Sequence, residues 1–181
     1  MKNWNKMRKL YPTLPESPAG YYPRGRGWVH DSAVVDESVV IHESTLIDEG
    51  AIICPGVVIG TCVMISRRAV IGPDVEIGPN TIINENVTIY KNATIGSDTK
   101  IGENTVIYSH INIENNVIIG KGVVICECVV IKKDTEIGNV AVIGDKVKIG
   151  KGVKIGNSVE IDCGIKIDND VEIEENAVIY S

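Results

Sequence analysis

One histidine, His110, stands in the middle of a 181-residue chain whose other two histidines, His30 and His42, lie near its start. At intervals of eighteen, the positions around it carry polar or reactive side chains. Asn92 and Cys128 flank His110, Lys91 and Glu127 flank Ser109, and Tyr90 precedes Tyr108. Thr94 and Asn112 form another pair at the same interval. A histidine beside a carboxylate and a hydroxyl can take a proton from an attacking group and pass it on to a leaving group. His110 is therefore the candidate base, with Glu127 or Asn92 to orient it. Tyr90, Tyr108, Ser109, Thr94 and Asn112 are the candidate substrate contacts. Cys126 and Cys128 are zinc-ligand types, but they have no evident fourth partner, and one Cys-x-Cys is a weak metal signal. No metal is expected. All of this chemistry depends on residues eighteen apart being neighbours in space.

The elements that position them are legible as a repeat. Stepping by six from Val29 to Ile179 meets Val29, Val35 and then isoleucine at every remaining step. Four residues after each isoleucine stands Ala, Val, Thr or Ile, two residues before the next isoleucine. Two inward residues separated by one outward residue make a short strand, as in Val75-Glu76-Ile77. The other three residues read as a turn, as in Gly78-Pro79-Asn80 and Gly102-Glu103-Asn104. A six-residue unit cannot bury its apolar face alone, so the units must stack into a solenoid.

The unit Ile71-Gly72-Pro73-Asp74-Val75-Glu76 resembles the hexapeptide repeat of the left-handed parallel β-helix acyltransferases, and the resemblance covers residues 29–181. It implies an all-β fold with a left-handed wind and three hexads per coil, hence about eight coils with residue n beside n+18. An N-terminal arm, residues 1–28, precedes the β-helix domain of residues 29–181. The resemblance also implies the activity. A corner histidine, here His110, deprotonates a hydroxyl or amine, which attacks the thioester of acetyl-CoA or another acyl donor. A sugar or similar small molecule is the expected acceptor. Related acyltransferases are typically trimers. The γ-class carbonic anhydrases share the fold and bind metal through three histidines. Here His30 and His42 lie about four coils from His110, which argues against that activity.

Composition bounds the alternatives. The arm carries six basic residues (Lys2, Lys6, Arg8, Lys9, Arg24 and Arg26) against Glu16, a balance of +5. The whole chain is at −6, so the remainder carries −11. An acidic body argues against nucleic acid as the main partner. The basic arm is read as lying on that body, with a phosphate-bearing ligand as the alternative. No stretch has the length of a membrane span or the apolar core of a signal peptide. Five cysteines with no disulfide-like framework suggest reduced thiols and a cytoplasmic setting. Five of the eight aromatics (Trp4, Tyr11, Tyr21, Tyr22 and Trp28) and four of the seven prolines lie in the arm. It is read as a cap for the open end of the solenoid or a strap onto a neighbour.

The outward residues distinguish three faces. One carries Val34, Ile52, Val70, Thr88, Val106, Val124 and Val142 in succession, then Glu160 and Val178. A long apolar stripe on a solvent-facing surface marks an interface, so oligomerisation through this face is expected, and the resemblance implies that the oligomer is a homotrimer. A second face begins with Leu46, Met64 and Ile82, and a third mixes Val58, Glu76, Thr94, Asn112, Val130 and Lys148. The unbroken repeat, the lack of an extruded loop and the apolar stripe also support a second reading, a non-catalytic scaffold or assembly subunit.

Overall fold

The computed structural model describes Arg8, Lys9, Pro12 and residues 20–180. From Tyr21 to Ile179 every regular element is a strand. The first two are β1 (Tyr21–Arg24) and β2 (Gly27–His30), and all later strands have two residues each, the outward one followed by the inward valine or isoleucine. Three sheets with ten, nine and seven strands form the sides of the solenoid, and every pairing in them is parallel except that of β1 with β2. The molecule is an all-β, left-handed parallel β-helix of about eight coils. At about 4.8 Å per rung the prism is roughly 40 Å tall.

The eighteen-residue register is direct. Ile89 pairs with Ile107, and Thr94 with Asn112. Backbone N–H groups donate one coil onward, as Tyr90 does to the Ile107 carbonyl at 2.8 Å. At the corners they donate one coil back, as His110 does to the Lys91 carbonyl at 3.2 Å. The third residue of nearly every turn has positive φ. Eighteen such residues are not glycine, and ten of those are Asn or Asp, the side chains that best tolerate this region. At the first turn position the constraint is different. A Cβ on Gly102 would stand 2.4 Å from the backbone of Gly120 one coil on, so only glycine permits that approach.

The inward isoleucines form one continuous core from Val29 to Ile173. Buried threonines within it keep their hydroxyls satisfied. Thr81 donates to the Gly96 carbonyl at 3.0 Å, and Thr105 to Gly120 at 2.9 Å. Each fully buried isoleucine stabilises the fold by about 1.5–3 kcal/mol, so the ladder dominates stability.

The described part of the arm forms a hairpin. β1 pairs antiparallel with β2, and β2 pairs parallel with the strand Leu46–Ile47. β1 thus covers the first edge of the ten-stranded sheet, and Pro23 sits on that edge strand, where its missing N–H is tolerated. The Arg24 guanidinium donates to the carbonyls of Val35 at 3.1 Å and Asp36 at 2.8 Å, capping the neighbouring corner. The Tyr21 hydroxyl donates to the Asp48 carboxylate. Most of the rest of the proposed cap, including Trp4 and Tyr11, lies outside the described residues.

Two details differ from the regular pattern. Leu46, expected to face solvent, is buried together with Trp28, with Tyr21 and Met64 packed against them. Val40–Ile41 forms no strand, and the seven-stranded sheet begins one coil later at Val58–Ile59. In that first coil the Ile41 carbonyl accepts from Arg26, so the hairpin uses the edge that a ladder would use.

Candidate functional site

The corner between the nine-stranded and seven-stranded sheets stacks residues 90–92, 108–110 and 126–128 in successive coils. Tyr90 and Tyr108 occupy the first turn position. Their rings lie 5.1 Å apart and are parallel within 4°. Both are well exposed, at 45% and 38%. The stack is one strand spacing deep, so the coil repeat itself sets ring against ring.

His110 occupies the third turn position, with φ of 61° and an exposed side chain. Histidine is among the residues enriched in this region. Asn92 and Cys128 hold the same position one coil to either side, with φ of 57° and 59°. Glu127 is exposed, and its N–H is tied to the Asp145 carboxylate at 2.8 Å. Among the described residues no side-chain hydrogen bond joins His110 to Glu127 or Asn92. Thr94 and Asn112 are exposed partners on the adjoining rungs. The structure thus brings the sequence candidates to one corner. Ser109 differs from the others, because it is 7% exposed and offers little of its hydroxyl to the surface.

Cys126 adds no nucleophile to this corner. Burial, then the Asp145 carboxylate, push the Cys126 thiol up, which keeps it protonated. Among the described residues no three His, Cys, Asp or Glu side chains converge as a metal site.

Two clefts lie away from His110. One of about 500 Å³ is lined by Ser32, Glu49, Gly50, Arg67 and Arg68. Arg67 is engaged there by Asp48 at 3.7 Å and Glu49 at 3.8 Å. Another of about 530 Å³ opens on the seven-stranded sheet around Lys148. Sequence reasoning missed this second cleft. The available signal was the repetition of lysine at an eighteen-residue interval, Lys148 and Lys166.

The family model for the bacterial transferase hexapeptide (six repeats) matches residues 57–91, 80–110 and 98–133. The three segments together run from residue 57 to residue 133, less than half of the chain, and the same six-residue unit continues on both sides of them. The matched segments of this hexapeptide-repeat protein include the whole His110 corner. Among curated proteins, none matches the chain in sequence. Solved structures do. A UDP-N-acetylglucosamine acyltransferase from Francisella novicida is similar at 25% identity with a TM-score of 0.65, covering 84% of this chain and 60% of its own. LpxA from Acinetobacter baumannii is similar at 22% identity with a TM-score of 0.64, covering 84% of this chain and 66% of its own. This hexapeptide-repeat protein therefore spans less than two thirds of the length of either structure.

Proposed function

We propose that this protein is an acyl-CoA-dependent acyltransferase that acylates a hydroxyl or amine of a sugar or similar small molecule. The observation that carries the reading is the His110 corner. It is the corner where an exposed histidine, a parallel tyrosine pair and exposed polar residues of an adjoining face converge, and it lies inside the family match. The Francisella novicida relative is named as an acyltransferase of a nucleotide sugar, which supports the same class of chemistry.

In this reading the His110 imidazole accepts the proton of the acceptor hydroxyl or amine as its lone pair attacks the thioester carbonyl. The new bond is O–C or N–C. Collapse of the tetrahedral adduct breaks the C–S bond, and the departing thiolate takes the proton back from the imidazolium. Glu127 or Asn92 orients the ring, and the exposed tyrosine faces and Thr94 and Asn112 hold the acceptor. The hydrogen bond from His110 to its orienting partner forms on substrate binding, as catalytic contacts often do.

The subunits are proposed to associate as a homotrimer through the apolar face. Val34, Ile52, Val142 and Val178 are exposed there at 63%, 41%, 38% and 42%, while Val70, Val106 and Val124 are half-buried. The proposed setting is cytoplasmic, where acyl-CoA is available. The five cysteines are free, and no helix among the described residues is long and apolar enough to cross a membrane.

A scaffold without catalysis is the second reading, favoured by the shallow His110 corner in an uninterrupted prism. Acetyl-CoA separates the two. At about a hundred times its Kd, a ligand that binds only the native state stabilises it by roughly 2.7 kcal/mol. For a chain of this size that raises Tm by roughly 5–10 °C. No shift at millimolar acetyl-CoA favours the scaffold. If Tm rises, His110→Ala is expected to abolish transfer with the fold intact. Full acyl transfer by His110→Ala would refute the base assignment.

A further inference from the structure

The cleft of about 530 Å³ on the seven-stranded sheet is lined by Val130, Lys132, Lys148, Gly150, Lys166 and Asn169, with Asp168 at its wall. Lys148 and Lys166 are register partners on adjacent rungs. Their stems leave the backbone one strand spacing apart, about 4.8 Å. Like charges placed directly opposite in a sheet are destabilising. The neighbouring cations are neutralised locally. Lys166 donates to the Asp168 carboxylate at 2.7 Å, and Lys132 to Glu114 at 2.7 Å.

Lys148 has no such partner. Among the described residues no carboxylate lies within ion-pair distance of it, nor of Lys146 on the same coil. Lys154 on the ten-stranded sheet also makes no ion pair among the described residues, but its ladder neighbours are Glu136 and Glu172, whereas those of Lys148 are Val130 and Lys166. A chain of net charge −6 has carboxylates to spare, yet the one that lines this cleft, Asp168, is paired with Lys166. Above Glu76 the outward ladder of this sheet reads Thr94, Asn112, Val130, Lys148 and Lys166, with no acidic member.

We propose that this cleft binds the phosphate group of a small phosphorylated molecule, with Lys148 as the principal contact. An ammonium is a strong donor to phosphate oxygens. Val130 and the aliphatic stems of the lysines supply an apolar wall for the body of the ligand. The volume falls in the range of small-molecule sites. The Asp168 carboxylate is already held by Lys166, so it leaves Lys148 free for the anion. The site shares no residue with the His110 corner and stands whether or not that corner is catalytic.

The test is calorimetric titration of the full chain with pyrophosphate at constant ionic strength, with citrate as the carboxylate control. Saturable pyrophosphate binding is expected, weakened about tenfold or more by Lys148→Gln and unchanged by Lys154→Gln. Without ligand, Lys148→Gln is expected to melt no lower than the parent, because it removes a like-charge contact, and this separates lost binding from lost fold. Absence of saturable binding, equal binding of citrate, or unchanged affinity in Lys148→Gln would overturn the proposal.

Discussion

Val140 is a valine where the fold asks for Asn or Gly. It occupies the third position of its turn with φ of 59°, and its side chain is 60% exposed. An L-residue with a Cβ loses roughly 1–2 kcal/mol in the left-handed region, and a β-branched one sits at the upper end. Asn escapes much of that cost through local hydrogen bonding. Val140→Asn gives up the buried part of the valine, less than half of roughly 1.5 kcal/mol. The net gain is about 0.5–1.5 kcal/mol, which for a domain of this size raises Tm by roughly 2–4 °C near the middle of that range. The matched control is Val142→Asn, two residues on. Val142 is an outward strand residue at 38% exposure, and asparagine is disfavoured in strands. That variant is expected to be destabilised. Both are read by calorimetry and urea melts at equal concentration. If the two substitutions shift stability in the same direction, or if Val140→Asn is no more stable than the parent, the conformational argument is refuted.

Ile95 is 1% exposed at mid-prism, and Ile95→Asp places an unpaired charge in the core; insoluble protein is expected, and a soluble, folded variant on expression would contradict the register. Val106→Glu with Val124→Glu should yield a folded monomer by circular dichroism and light scattering, and a parent that is already monomeric at micromolar concentration would rule out association through that face. Tyr21→Phe removes the hydrogen bond to Asp48 and should cost about 1 kcal/mol in a urea melt at pH 7, a modest value because the group is half-buried. Burial first, then the Asp48 hydrogen bond, raise the Tyr21 phenol above its ordinary value, so the folded state holds that proton more tightly. Its contribution is therefore complete below about pH 10 and is lost as pH rises through the folded value. Tyr21→Phe should flatten that alkaline fall, and an unchanged alkaline limb would count against the assignment.

The candidate corner was legible because stacking follows arithmetic. Once residue n lies beside n+18, Tyr90 must meet Tyr108, and Asn92 must bracket His110 with Cys128. The rings do stack at 5.1 Å. Ser109 was harder to read, since its burial depends on its neighbours in space and not on its turn position. Leu46 was misplaced for a related reason. Its period marks it as outward, but the N-terminal hairpin packs beside it, and no hexad rule describes the hairpin.

By itself the sequence determined the local geometry. A β-branched residue at every sixth position, with turn formers between, specifies strand and corner again and again, because each hexad carries its own conformational preferences and its own inward residue. That was enough for the core ladder, the three faces and the positions needing positive φ. Only the tertiary structure decided which outward residues remain open, which cations find a carboxylate, and where the surface deepens into a cleft. Those outcomes depend on side-chain reach between coils and on the packing of the hairpin. Leu46 and Ile52 occupy the same position in their hexads, yet Leu46 is buried against Trp28 of the hairpin and Ile52 is 41% exposed.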